Sequence, residues 1–406
     1  MAKPFSGHIM DMKNGLSSWT IAATYVGTVV GAAFASGQEI LQFFGFFGLW
    51  GLPGLLVTTV LLVVFGYLLM DAGRRLQAES YLPVIKESAG PWLGRALDGV
   101  ITFFLFGALL IMAAGAGAFF RQHFGLPFAL GSALMVLAAW GTVLAGLGGV
   151  IAAISVIAPL LLASVLGLGA FTLAANWRAL PENLLWSFPA RAPIPFWPLS
   201  ALVYASYNLI LAVAVLVPLG RKADAPRLLR GAVGGGVALG LAATTIYLAV
   251  LVQGKRVTGY ELPMLAVAAS AGPAVATGYG LMLLAEIYTT AVSSLYGFGS
   301  RLAAPTRPFW VVVSLAGGAS FVLAQFGFSK LVATIFPAVG YAGLLLIGSL
   351  SYRAWGKRGL ALVMRQAGLR PAYKKPLEEG ANDKGAKTAG QLQAPAGGQD
   401  QAGGNG

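Results

Sequence analysis

The chain has 406 residues, of which 57% are hydrophobic and only 10% charged, with a mean hydropathy of +0.76. Soluble domains carry about 25% charge, so this composition excludes a soluble protein and predicts an all-α integral membrane protein. The net charge of +13 fits positively charged inner loops rather than nucleic-acid binding, and the absence of cysteine excludes disulfides and thiolate or cysteine metal sites.

A bilayer span needs about 20 apolar residues, and charge-free runs mark ten of them. Residues 1–16 form a cytoplasmic N-terminal segment with no apolar h-region or small-residue cleavage site. The first span covers about 17–46, the second 51–71, the third 98–120, the fourth 127–145 and the fifth 149–175. Together 17–175 make a first five-helix repeat. A Pro-rich extracellular loop, 176–197, precedes a second repeat, 198–355, with spans at about 198–219, 231–253, 273–299, 308–328 and 332–353. Five spans per half place the halves in opposite orientation, the pattern of an inverted repeat. Residues 356–406 join a basic juxtamembrane segment to a tail rich in Gly, Ala, Gln and Asp, expected to be disordered.

Lysine and arginine orient the spans. With the N-terminus inside, cytoplasmic loops carry 12 against 6 outside, once the nine of the tail are set aside. Both termini are expected in the cytoplasm, in a multi-pass protein of a bacterial inner membrane. Trp19, Trp50, Trp177, Trp197, Trp310 and Trp355 fall near span ends, as an interfacial belt requires.

The first span holds Thr24-Tyr-Val-Gly-Thr-Val-Val-Gly-Ala-Ala-Phe-Ala-Ser-Gly-Gln-Glu39, free of charge up to Glu39 yet rich in glycine. Glycine weakens a helix by about 1 kcal/mol per site, and an unpaired backbone group in hydrocarbon costs several more. Two readings stand open: a broken helix lining a cavity, or a helix packed closely on a neighbour through its glycines. In span six, Tyr204-Ala-Ser-Tyr-Asn-Leu209 sets polar residues near mid-membrane, either at a second break or as interhelical hydrogen bonds. In span eight, Glu286, Thr290, Ser293 and Gly297 share one helical face, with Thr289 and Ser294 beside it. Hydroxyls on one helix facing freed carbonyls on another suit a hard monovalent cation. Glu286 and Glu39 are acidic groups at depth, both expected in an outer vestibule. Proton coupling, gating and a plain satisfied polar role stand open for each.

The run Tyr25–Ile40, with Ser206-Tyr-Asn208 and Thr289–Gly297, resembles the YkvI-like family of uncharacterised bacterial membrane proteins. That family is placed near the amino acid–polyamine–organocation transporters, which share the LeuT-type fold. The resemblance implies ten core helices in a five-plus-five inverted repeat, with helices one and six broken and a solute site between them. It implies a sodium site built from the carbonyls of Gly27 and Val30 and the hydroxyls of Thr290, Ser293 and Ser294. Solute would meet the backbone amides of Gly31, Ala32 and Ala33, together with Tyr204, Tyr207 and Asn208. Ala33 stands where the usual Gly-x-Gly has its second glycine. The Asp-Pro-Gly-Asn and Met-Pro-His breaks of a metal-ion transporter are absent.

The expected function is a secondary active transporter of a small organic solute, amino acid or amine-like, driven by sodium or protons. The partners are the lipid bilayer, the solute and the coupling ion. No cofactor is expected beyond a possible sodium ion, and no other metal. A non-transporting sensor of the same fold is the alternative. An enzyme is not expected, because there is no His-Glu-x-x-His, no Asp-rich metal motif and no serine with a partner histidine at depth.

Overall fold

The computed structural model describes residues 16–145, 150–185, 192–257 and 259–352. The juxtamembrane segment and tail, His8 and Trp355 lie outside them. The first span is not one helix but three. Helix α1 (Ser18–Val29) starts at Ser17, whose hydroxyl accepts the Thr20 N–H at 3.1 Å, satisfying one of the donors that a helix start leaves free. Thr24 and Thr28 donate back to the carbonyls of Thr20 and Thr24 at 2.8 and 2.7 Å, so neither hydroxyl breaks the helix. The helix ends where Val30 and Gly31 turn extended, and α2 (Ala32–Ser36) follows. Gly37 then bends the chain again at φ +78° into α3 (Gln38–Phe43). A Cβ at Gly37 would stand 2.8 Å from Met264 Cγ, so both conformation and space demand glycine there.

A 3-10 turn, Gly45–Trp50, leads to α4 (Gly51–Leu76). Helix α5 (Leu82–Phe124) is kinked at Gly90 and starts well before the expected span. Next come α6 (Phe128–Ala145) and α7 (Val150–Asn176). The stretch expected as a plain loop carries the short helix α8 (Leu180–Leu185). Helices α9 (Trp197–Gly220) and α10 (Ala225–Gln253) follow, and then α11 (Pro263–Ser270), an eight-residue helix the hydropathy pattern does not announce. The last three are α12 (Pro273–Leu302), α13 (Phe309–Ala324) and α14 (Phe328–Ser351). Eight described helices are long and apolar enough to cross a membrane. The broken α1–α3 unit and the shorter α13 make up the expected ten.

Exchanging the two halves of the chain maps several of its main helix pairs onto one another. Helix α1 packs on α10 as α4 packs on α9; α5 packs on α6 as α12 packs on α13; α5 packs on α14 as α12 packs on α7. An internal repeat produces this reciprocity. Chain direction defines two faces. On the N-terminal face the Leu16 N–H bonds Lys222 O at 3.0 Å and Arg301 pairs with Asp98 at 2.7 Å. On the opposite face Arg121 pairs with Glu261 at 3.0 Å.

The expected break in helix six is absent. Helix α9 runs unbroken from Trp197 to Gly220. No glycine or proline lies between Leu199 and Val217, and two of its polar residues find partners without opening the ladder. Asn208 Nδ2 donates to Tyr204 O at 2.9 Å, and Ser206 Oγ donates to Gly340 O of α14 at 2.6 Å. For Ser206 the interhelical hydrogen bond is the correct reading.

Candidate solute and cation site

The break between α1 and α2 follows from backbone bookkeeping. The Val30 N–H still closes on Val26 O, and the ladder resumes only with the Ala35 N–H on Gly31 O. Between them lie the end carbonyls of α1, from Gly27 to Val30, and the first amides of α2, from Gly31 to Phe34, the groups a helix end leaves without partners. Close packing does not explain the glycines at this point. A Cβ at Gly27 or Gly31 would meet nothing within 4 Å. The tight contacts on α1 come from its neighbours: Cβ atoms at Gly231, Gly235 and Gly66 would stand 2.4, 2.8 and 2.8 Å from Ile21 or Tyr25. The cavity reading of the glycine run therefore holds at Gly27 and Gly31.

The open space is a cavity of about 480 Å³ between the break, α5, α9 and α12. It gathers the sequence-expected residues with one exception. Gly27, Val30, Gly31, Ala32 and Ala33 line it from the break. Tyr207 and Asn208 line it from α9, and Glu286, Thr290, Ser293 and Ser294 from α12. Glu39 reaches it from α3. Tyr204 does not line it but stands behind Glu39, donating to its Oε1 at 3.0 Å. Gly297, on the same α12 face, does not line it either, and a Cβ there would stand 3.4 Å from Leu105.

Exposure gives the cavity its direction. Toward the N-terminal face it is lined by exposed Ala214, Val215 and Ser293, with Arg301 at the rim. Toward the opposite face everything is buried, and aromatic rings close it. Phe44 and Phe43 pack on Tyr204 at 4.9 and 5.3 Å, Tyr204 on Tyr207 at 5.3 Å, and Tyr207 stacks on Phe336 at 4.8 Å. Glu39 and Glu286 therefore sit at the closed end of the cavity and not in an open vestibule on the far side, as expected from sequence.

Several supporting residues carry no sequence signal of their own. The Tyr279 hydroxyl donates to Ala35 O and holds α2 to α12. Gln42 Nε2 donates to Ser329 O and Ser200 Oγ to Phe43 O, both at 2.8 Å, fixing α3 against α14 and α9. Phe104 and Phe336 complete the wall, 6.0 Å apart between ring centres. On α12 the Ser293 hydroxyl donates to Thr289 O at 2.8 Å, which leaves its lone pairs available. No group of three or more His, Cys, Asp or Glu that would suit a metal ion occurs among the described residues.

No protein-family model matches the chain. The Bacillus subtilis (strain 168) "Uncharacterized membrane protein YkvI" is 30% identical over 346 residues, covering 84% of this chain and 97% of the relative. The chain belongs to the YkvI-like family. A second relative from the same organism, "Uncharacterized protein YyaD", is 29% identical and covers 79% of this chain and 92% of its own. Among solved structures, MhsT in complex with L-phenylalanine superposes with a TM-score of 0.53 at 18% identity, over 89% of this chain and 94% of that one. A Na+-coupled sialic acid symporter gives 0.53 at 13%, over 82% and 79%. The Eremococcus coleocola manganese transporter gives 0.52 at 15%, over 82% and 78%. At these identities the likeness concerns the fold, and this member of the YkvI-like family has the LeuT-type fold.

Proposed function

We propose that the protein is a secondary active transporter moving a small organic solute, amino acid or amine-like, by alternating access through this cavity, coupled to sodium or protons. The observation that carries the reading is the α1–α2 break opening onto a largely buried cavity faced by the α12 hydroxyls. Irregular backbone at membrane depth is tolerated where it lines such a space, and freed carbonyls there suit a cation. Gly27 and Val30 carbonyls with Thr290, Ser293 and Ser294 would hold sodium. The amides of Gly31, Ala32 and Ala33, with Tyr207 and Asn208, would contact solute, and Tyr204 would act through Glu39. With both termini in the cytoplasm of a bacterial cell, the cavity faces inward, and the aromatic closure is the outer gate.

Uptake into liposomes tests this. Reconstituted protein is expected to accumulate a radiolabelled amino acid or amine under an imposed sodium or proton gradient and to lose it when the gradient is collapsed. A solute that binds detergent-solubilised protein but never accumulates would overturn the transporter reading in favour of the sensor.

A further inference from the structure

We infer that the solute carries net positive charge, as an ammonium or guanidinium group, and that Glu286 is its counter-ion in the cavity. The stacked rings of Phe104, Phe336 and Tyr207 would cover the apolar body behind that charge. The inference deepens the transporter reading and uses the same site, but its binding half stands or falls separately.

Charge balance is the first argument. Glu286 is only 5% exposed and lines the cavity, and its Oε2 is buried with no hydrogen-bond partner. An unpaired carboxylate at such a position is costly until a proton or a cation neutralises it. The described residues supply no free cation for it. Arg301 is the basic side chain that reaches the lining among the described residues, and it is engaged at the rim by Asp98 at 2.7 Å and Tyr81 at 2.6 Å. The second carboxylate of the cavity, Glu39, already takes the Tyr204 hydroxyl. A zwitterion would leave this excess of negative charge unchanged. A cation reduces it.

The second argument is the wall. Phe104, Phe336 and Tyr207 form a continuous stack with ring planes 27° and 13° apart. Aromatic faces attract a cation within about 6 Å, and they cover apolar carbon as well. The Tyr207 hydroxyl is buried and makes no hydrogen bond, so it offers an acceptor to an N–H donor on the solute. The sodium ligands proposed on α12, Thr290 and Ser293, lie one and two turns further along from Glu286. Ion and ammonium group would therefore occupy neighbouring but separate positions.

Matched pairs differing by one carboxylate test the inference: phenethylamine against phenylalanine, isoamylamine against leucine, propylamine against 4-aminobutyrate. Binding to purified protein is measured by calorimetry and thermal shift. At least one amine is expected to bind ten-fold or more tighter than its carboxylated partner. Glu286→Gln should weaken that amine at least ten-fold, and Glu286→Asp should restore part of the loss. Tighter binding of the carboxylated members, equal affinity in Glu286→Gln, or no amine binding at all would overturn the inference. Should Glu286→Gln not fold, the wild-type pair ratio and the loss expected in Phe336→Leu decide. Counterflow in liposomes separates the two readings. An amine that binds through Glu286 without exchanging defeats the transporter and spares the counter-ion. A neutral amino acid that exchanges without needing Glu286 does the reverse.

Discussion

The Tyr204 hydroxyl donates to Glu39 Oε1 at 3.0 Å, joining α9 to α3 on the closed side of the cavity. Both residues are buried, and Tyr204 also packs edge-on against Phe43 and Phe44. The phenol thus serves twice, as a donor to a carboxylate in a dry site and as part of the aromatic closure. Removing only the hydroxyl separates the two roles. Tyr204→Phe should keep the ring packing yet destabilise the protein by about 1–3 kcal/mol, the cost of stranding a buried acceptor. Glu39→Gln keeps an acceptor for the phenol and should cost less. Thermal unfolding of both variants in detergent checks the order, and a Tyr204→Phe melting point equal to the parent's would mean that the bond contributes nothing.

Two classes of glycine around α1 should respond oppositely to the same added methyl group. Gly31 has extended backbone and open space at its Cβ position, so Gly31→Ala should fold with stability within about 0.5 kcal/mol of the parent. Its methyl would project beside the free amides of α2, and solute binding should fall several-fold. Gly235→Ala would place a carbon 2.8 Å from Tyr25 Cδ1. Tyr25 cannot retreat, because it is fully buried and its hydroxyl donates to Leu62 O at 2.9 Å. Overpacking there should cost about 1–3 kcal/mol with the cavity untouched. Melting temperature and ligand affinity, measured together, distinguish the two.

The crossing of α4 and α9 should be the least tolerant place in the molecule. A Cβ at Gly73 would lie 2.0 Å from Val217 O, and one at Gly220 would lie 1.9 Å from Met70 O. Both obstacles are backbone, so no rotamer change relieves them, and the helices must separate. Small residues at such crossings let membrane helices approach closely. Gly73→Ala and Gly220→Ala should each cost as much as overpacked cores do, about 3 kcal/mol or more. Size-exclusion profiles of fluorescent fusions should show loss of the monodisperse peak. A normal profile for either would mean that the crossing is looser than the structure has it.

What the sequence disclosed and what it hid divide along physical lines. The α1–α2 break was legible because Gly27 and Gly31 weaken a helix wherever they stand, with no need of a partner. Glu286 was legible because an acid in an apolar run is costly in any fold. The second bend at Gly37 was not, since a run rich in glycine does not say which of them turns left-handed, as Gly37 does at φ +78°. Helix α9 looked broken because Ser206 and Asn208 are polar, but their partners, Gly340 O and Tyr204 O, are tertiary or local contacts that composition does not reveal. Phe104 and Phe336 read as ordinary apolar residues, and only the packing of α5 on α14 turns them into a cavity wall. The direction of the cavity was hidden for the same reason, because closure by Phe43, Phe44, Tyr204, Tyr207 and Phe336 is a property of three helices at once.

The sodium assignment makes the last prediction. Ser294 is buried and lines the cavity, and Ser293 donates to its own helix while its lone pairs stay free. A cation bound only to the folded protein raises its stability by an amount that grows with concentration over Kd. Sodium chloride should therefore raise the melting temperature above that in potassium or choline chloride. In the variant carrying both Ser293→Ala and Ser294→Ala the sodium-specific rise should vanish, while the choline baseline stays close to the parent, since alanine is the better helix former. The solute's apparent affinity should then lose its sodium dependence, because two ligands that stabilise the same state raise each other's affinity by the same factor. A sodium-specific rise that survives in the double variant would place the cation elsewhere. A parent protein that ignores sodium but answers to pH would move the coupling to protons, with Glu39 and Glu286 as the groups to substitute next.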